Sequence, residues 1–194
     1  MENTKIKLPT NAFFYPIPTV ILGTKNNEKV NFMEVGWITR INGSSPSYFA
    51  MSIEKRHYTT QNILKNKEFS LSVPGTNLLV ETDYCGIVSG TKTDKSKIFE
   101  IFYGSLKAAP LIKNCPISME CKLIDIVEIP TDKCTLFIGE IINVYSEEKY
   151  LTDGKLDFKK VDPLILTMPD NTYWSMGGKI GKAWSDGKKY ESMD

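Results

Sequence analysis

The chain of 194 residues has one histidine, His57, and no two cysteines in a CxxC pair. A zinc site of the usual spacing is therefore not expected, and the sequence assigns no metal. The four cysteines, at 85, 115, 121 and 134, read as reduced thiols, partly buried, in a cytosolic setting. An excess of one charge sign is also missing: 24 Lys and Arg face 23 Asp and Glu. Without a basic field to displace counterions, nucleic acid is not an expected partner. No apolar run approaches the ~18 residues of a membrane span. The first residues, MENTKIKLPTNAFFYPIP, carry an early acid and no long apolar stretch, so no secretory leader is expected and a cytoplasmic location is. The glycine fingerprints of P-loops and Rossmann folds are absent, as is the GxSxG elbow of serine hydrolases, and no catalytic residue is assigned.

What is present is a set of short apolar runs rich in β-branched and aromatic residues. TVILGT (19–24) and VNFMEVGWITRI (30–41) read as strands around the turn KNNEK. SYFAMSI (47–53) follows NGSSPS, and EFSLSVP (68–74) stops at Pro74-Gly75. SMECKLIDIVEI (118–129) and CTLFIGEIINVYS (134–146) are the longest strands, with PTDK as a hairpin turn between them. VDPLILTM (161–168) reads as a last or edge strand, given Pro163. Cys121 alternates in phase with Met119 and Leu123, as a core-facing strand residue does. Helices are few: TTQNILKNK (59–67) and LLVETDYCGI (78–87). Many short strands and few helices predict a mainly β fold, a closed barrel with appended helices. No repeat, low-complexity tract or linker interrupts the chain, so 1–194 reads as one domain, ending in a polar, frayed tail, DGKKYESMD.

Two clusters carry possible chemistry. SIEKRHYTT (52–60) follows a strand in which Phe49, Met51 and Ile53 share one face and the small Ala50 and Ser52 the other. Gly36, in the middle of the preceding strand, lets another group approach the backbone. Together they form a shelf for a flat ligand, or else a place of tight backbone packing. Arg56 stands before Thr59 and Thr60, which read as N-caps of a helix whose free N–H groups suit a phosphate. The alternative is a solvated loop, and a lone histidine there reads as solvated too. The second cluster, CGIVSGTKTDKSK (85–97), is a glycine-containing loop of hydroxyls and lysines, bare of a P-loop pattern.

In their order and spacing, PTVILGT, NFMEVGW, SSPSYFAMSIEKRHYTTQNI, EFSLSVP, CGIVSGTKTDKSK, MECKL and LFIGEI resemble the flavin reductase-like, FMN-binding split-barrel family, in its flavoredoxin branch. The resemblance spans roughly residues 14 to 145. It implies a six-stranded antiparallel split β-barrel with a few short helices, dimerising, with FMN near the subunit interface. The ring would lie along Glu34, Val35, Gly36 and Trp37. Ribityl and phosphate would meet Ser52, Arg56, Tyr58 and Thr59, with Ser89, Gly90 and Lys95 closing over the phosphate. It also implies an oxidoreductase that carries electrons or reduces flavin, with a redox partner protein or NAD(P)H supplying them. A non-catalytic flavin store, a nicotinamide-driven flavin reductase and a pyridoxamine-oxidase-like or haem-binding barrel are the alternatives. Two departures stand out. Glu34 occupies a position where the family usually has threonine, and the family's DKF is here DKSKIF. A carboxylate beside a phosphate or an electron-rich ring is unfavourable unless it pairs or points away.

Overall fold

The computed structural model describes residues 4–10, 16–130 and 133–190. Seven segments form the main sheet: β1 (Val20–Asn26), β2 (Lys29–Val35), β3 (Ile38–Arg40), β4 (Ser47–Glu54), β5 (Glu68–Val73), β6 (Ile117–Val127) and β7 (Cys134–Tyr145). They lie in the order β2-β1-β5-β6-β7-β4-β3, and every neighbouring pair is antiparallel. The outermost segments, β2 and β3, are consecutive in the chain and separated only by Gly36 and Trp37. Both edges of the sheet thus belong to one bent strand, and the sheet curls into a split barrel, six-stranded when that strand is counted once.

Residues 30–41, which the sequence suggests as one strand, are therefore two. The break follows from pairing on opposite sides. β2 pairs with β1 as far as Val35, whereas the Ser52 N–H donates to the Trp37 carbonyl at 2.9 Å and β3 continues along β4. Residues Ile17–Pro18, Ile165–Thr167 and Thr172–Trp174 form a separate small sheet, with Ile165–Thr167 at its centre. A β-carbon at Gly36 would stand 3.1 Å from Ile17 Cγ2, so glycine admits this sheet against the bend. Within the run 161–168 the strand is only Ile165–Thr167, and it is the centre of a small sheet, neither the last strand nor an edge. β6 and β7 pair as the hairpin reading requires, though Thr131 and Asp132 of its turn lie outside the described residues.

Alternation divides β1 and β2 between two cores. Leu22, Met51, Phe69, Leu71, Cys121 and Phe137 fill the barrel, every one at most 1% exposed. Ile21, Phe32, Cys85, Phe99 and Ile112 form a second core outside it. Burying such side chains contributes about 1.5–3 kcal/mol each, enough to make the register of β1 costly to slip. Helix α1 (Tyr58–Asn66) drops Ile63 into the barrel core, and α2 (Leu79–Ile87) packs Cys85 into the outer core. The N-cap of α1 is His57, not Thr59 or Thr60. Both threonines are within the helix and otherwise committed: Thr60 Oγ1 donates to the Glu54 carbonyl at 2.8 Å, and Thr59 Oγ1 accepts from Asn31 Nδ2 at 2.9 Å.

Candidate functional site

A cavity of about 610 Å³ opens where the bent strand, β4, both helices and the small sheet meet. That volume is typical of a small-molecule site. Its middle is a shelf of backbone and short side chains, from Val35 and Gly36 on the bend and Ser52 on β4, bordered by Trp37, which is 47% exposed.

One end is built on the start of α1. No side chain caps this helix and no acid occupies its first turn, so its N–H groups and positive dipole end are not neutralised from within. His57, Tyr58 and Thr59 line this end. His57 Nδ1 is buried and makes no hydrogen bond. The loop after α2 supplies Ser89 and Gly90. A β-carbon at Gly90 would stand 2.1 Å from Asn31 Oδ1 and 3.0 Å from the Tyr58 ring, so only glycine lets the loop reach this depth. Lys95 anchors the loop from below. Its side chain is buried, and its ammonium donates to the carbonyls of Phe32 and Cys85, both at 2.8 Å. Burial lowers the Lys95 pKa.

Another part of the wall is acidic. Glu34 of β2 reaches it with Oε1 buried and unbonded, while Oε2 faces Gly86 on α2. Asp83 of α2 accepts a hydrogen bond from the Tyr173 hydroxyl at 3.2 Å. Burial first, and the Asp83 charge second, push the Glu34 carboxyl up to about 7. Burial and the two carboxylates likewise raise the Tyr173 hydroxyl.

Ten of the eleven residues singled out from the sequence line this one cavity: Glu34, Val35, Gly36, Trp37, Ser52, Tyr58, Thr59, Ser89, Gly90 and Lys95. Arg56 does not. Its side chain is 84% exposed, with Nε donating to Glu54 Oε2 at 2.6 Å, and Glu54 itself lies at the cavity rim. Lys95 differs in role from a cation reaching over a ligand, since two carbonyls already hold its ammonium. Glu34 does not point away, and its orphan oxygen has no partner to satisfy it.

A sequence pattern describing the flavin reductase like domain matches residues 12–165. The chain belongs to the flavin reductase-like family. The flavoredoxin structure from Methanosarcina acetivorans is 46% identical, covering 97% of this chain and 100% of that one at a TM-score of 0.91. The flavoredoxin of Desulfovibrio vulgaris (Miyazaki F) is 32% identical, covering 95% and 100%, with a TM-score of 0.86. An uncharacterized protein of Archaeoglobus fulgidus is 31% identical over 75% of this chain and 80% of its own length. These likenesses include both flavoredoxins, so the branch suggested by the motif order stands with the family.

Within this flavin reductase-like chain, the residues that the sequence did not single out come from afar. Asp83 sits on α2 and Tyr173 on a three-residue strand near the C-terminus, and no local pattern ties either to Glu34. His57 read as solvated, yet its Nδ1 is buried in the cavity wall. Its place directly before α1, where a helix start was expected, was the signal. The glycine- and aromatic-rich stretch YWSMGGKIGKAW contributes only Tyr173 to the cavity wall; Trp174 is 53% exposed, Trp184 96% and Ile180 fully exposed. Among the described residues no helix is long and apolar enough to cross a membrane, and no group of three or more His, Cys, Asp or Glu residues could hold a metal ion.

Proposed function

We propose that this cavity holds FMN and that the protein is a flavoprotein of the flavoredoxin type, carrying electrons or reducing flavin. The observation that carries the reading is that one cavity gathers the start of α1, a glycine-containing hydroxyl loop, an acidic pair and the backbone of the Gly36 bend. A helix start without internal neutralisation, beside a glycine-tightened hydroxyl loop, suits a phosphate. The Val35–Gly36–Trp37 bend gives a planar ring a backbone surface, and two residues lining the cavity, Glu34 and His57, each carry a buried atom, Oε1 and Nδ1, that makes no hydrogen bond within the protein. The likeness to two flavoredoxins supports the same ligand. Bound FMN would supply the redox chemistry. The chain binds it, orients the ring and excludes water from one of its faces.

The reading includes a cytoplasmic homodimer. On α2, Val80 and Ile87 are 76% and 73% exposed, and Trp37, Trp174, Ile180 and Trp184 add further exposed apolar surface. A second copy covering this surface would also bring the stretch 174–184 of one subunit towards the other's cavity. Electrons would come from a redox partner protein. A nicotinamide-driven flavin reductase is the second reading. It is favoured by the stretch beyond Tyr173, which leaves the shelf uncovered within its own subunit.

The test is the visible spectrum of the purified protein, with titration of the apoprotein by FMN. Yellow protein, or quenching of FMN fluorescence at one flavin per subunit, is expected. A colourless protein that leaves FMN fluorescence unchanged overturns the proposal. Anaerobic mixing with NADH and NADPH then separates the two readings, since rapid bleaching with turnover on added flavin selects the reductase.

A further inference from the structure

We propose that Glu34 meets the bound ring as a neutral carboxylic acid, donating its proton in a hydrogen bond to an acceptor atom of the ring, and that the Asp83–Tyr173 pair sets that state. The assignment rests on the flavin reading above and concerns the acidic part of the same cavity.

The geometry makes the two carboxyl groups unequal. Asp83 on α2 accepts the Tyr173 hydroxyl at 3.2 Å, so its negative charge has a donor. Glu34 has none on its buried oxygen: Oε1 makes no hydrogen bond, and Oε2 looks at Gly86, where a β-carbon would be 3.3 Å away. Burial first, and the Asp83 carboxylate nearby, disfavour ionisation of Glu34, which has no donor to offset them. The remaining groups around Glu34 do not reverse this. Its strand neighbours Met33 and Val35 are uncharged. Cys85, facing from α2, is held neutral, its thiol pushed up to about 11 mainly by burial. Tyr173 stays protonated. Lys95, from the loop beyond α2, spends its ammonium on the Phe32 and Cys85 carbonyls. The rise of the Glu34 carboxyl to about 7 agrees with the asymmetry.

A flat heteroaromatic ring carries acceptor nitrogens and carbonyls along its polar edge. An ionised Glu34 would repel them, whereas its acid form completes the hydrogen bond that Oε1 otherwise lacks. Threonine at this position would donate regardless of pH. Glutamate makes donation conditional: the complex holds the proton more tightly than the empty cavity, so above the free carboxyl's midpoint each binding event takes up one proton from solvent.

The experiment uses riboflavin, which lacks the phosphate and so removes phosphate ionisation from the profile. The apoprotein is titrated by fluorescence quenching from about pH 6 to about pH 9. Affinity is expected to be level near pH 6 and to fall above about 7 by as much as tenfold per pH unit. Glu34→Gln, which keeps a donor, is expected to bind within about threefold of the parent at pH 6 with a level profile, and Asp83→Asn to move the falling limb to lower pH. In the apoprotein, infrared difference spectra should show a protonated carboxyl band near pH 6 that Glu34→Gln lacks. A level or rising profile in the parent, or an unchanged slope in Glu34→Gln, overturns the assignment while leaving flavin binding intact. Failure to quench riboflavin and FMN at every pH overturns the flavin reading, and the assignment with it.

Discussion

Lys95 Nζ donates to the Phe32 carbonyl oxygen at 2.8 Å, joining the loop after α2 to the strand that carries the shelf. A second bond of the same length goes to Cys85 O, the residue's burial is nearly complete at 2% exposure, and the loop's position depends on this ammonium. Lys95→Ala leaves two buried carbonyls without a donor and removes a packed stem. The expected loss is about 2–4 kcal/mol in denaturant unfolding, with flavin affinity falling as Ser89 and Gly90 lose their support. A variant as stable as the parent would show that the clamp contributes nothing.

Gly90 is fixed by contact, not by backbone strain. A methyl group there collides with Asn31 Oδ1 at 2.1 Å, so Gly90→Ala must push the loop off β2 and α1. A cost of about 1–3 kcal/mol is expected, together with weaker ligand binding. Gly43 is the control: nothing lies within 4 Å of its would-be β-carbon, and Gly43→Ala should stay within about 0.5 kcal/mol of the parent. Equal effects of the two substitutions in chemical denaturation would contradict the packing argument.

The barrel was legible because its strands alternate. Phe49, Met51 and Ile53 against Ala50 and Ser52, and Cys121 with its neighbours, fix which face is buried before any tertiary contact is known. The bend at Gly36–Trp37 was not, because a run of twelve strand-forming residues carries no sign of which partner each half will pair with. The candidate site shows the same division. Residues of the two local clusters line the cavity, Arg56 apart; Asp83 and Tyr173 carry no such local signal, because only folding brings positions 90 residues apart to a hydroxyl–carboxylate contact. Arg56 lies outside the cavity lining for a local reason. Glu54, two residues before it, offers a nearer anion than any ligand.

Glu34 also ties stability to pH. Its carboxyl lies at about 7 in the fold against 4.5 as the ordinary value. Between those limits the unfolded chain binds fewer protons than the native one, so stability falls as pH rises from about 4.5 to about 7 and is level beyond. Glu34→Gln removes the penalty. The variant should match the parent near pH 4.5 and exceed it at pH 8 by on the order of 2–3 kcal/mol, since every tenfold change in proton affinity between the two states is worth about 1.4 kcal/mol. Thermal melts of both proteins at the two pH values check this. A gap that is constant with pH would mean that Glu34 ionises normally in the fold.

The exposed apolar stretch near the C-terminus makes a prediction about assembly. Ile180 and Trp184 are almost wholly in solvent in one subunit, a placement that costs solubility unless a second copy covers them. Light scattering should give twice the chain mass. Ile180→Asp combined with Trp184→Asp should shift the protein towards monomer without lowering the melting temperature of the barrel, because neither residue belongs to either core. A parent protein that is monomeric at micromolar concentration would remove the homodimer from the proposal.

Charge beside the cavity and contact with the ligand have different signatures at Arg56. Arg56 and Glu54 form a pair at 2.6 Å, and Glu54 lies on the rim at the end that suits a phosphate. Removing Arg56 exposes a phosphate to an unpaired carboxylate as well as taking away a cation, so both effects act in the same direction. Because the pair is exposed to solvent, the expected loss for Arg56→Ala is modest, about 0.5–1.5 kcal/mol in FMN affinity, and near zero for riboflavin. Glu54→Gln removes the carboxylate and should tighten FMN slightly, again leaving riboflavin unchanged. Both effects should shrink as salt is raised, because the charges are screened. If instead Arg56→Ala weakens FMN by more than about 3 kcal/mol at high salt, the guanidinium must leave Glu54 and hold the phosphate directly. If FMN and riboflavin are weakened alike, neither rim charge faces a phosphate and that end of the cavity has been read the wrong way round.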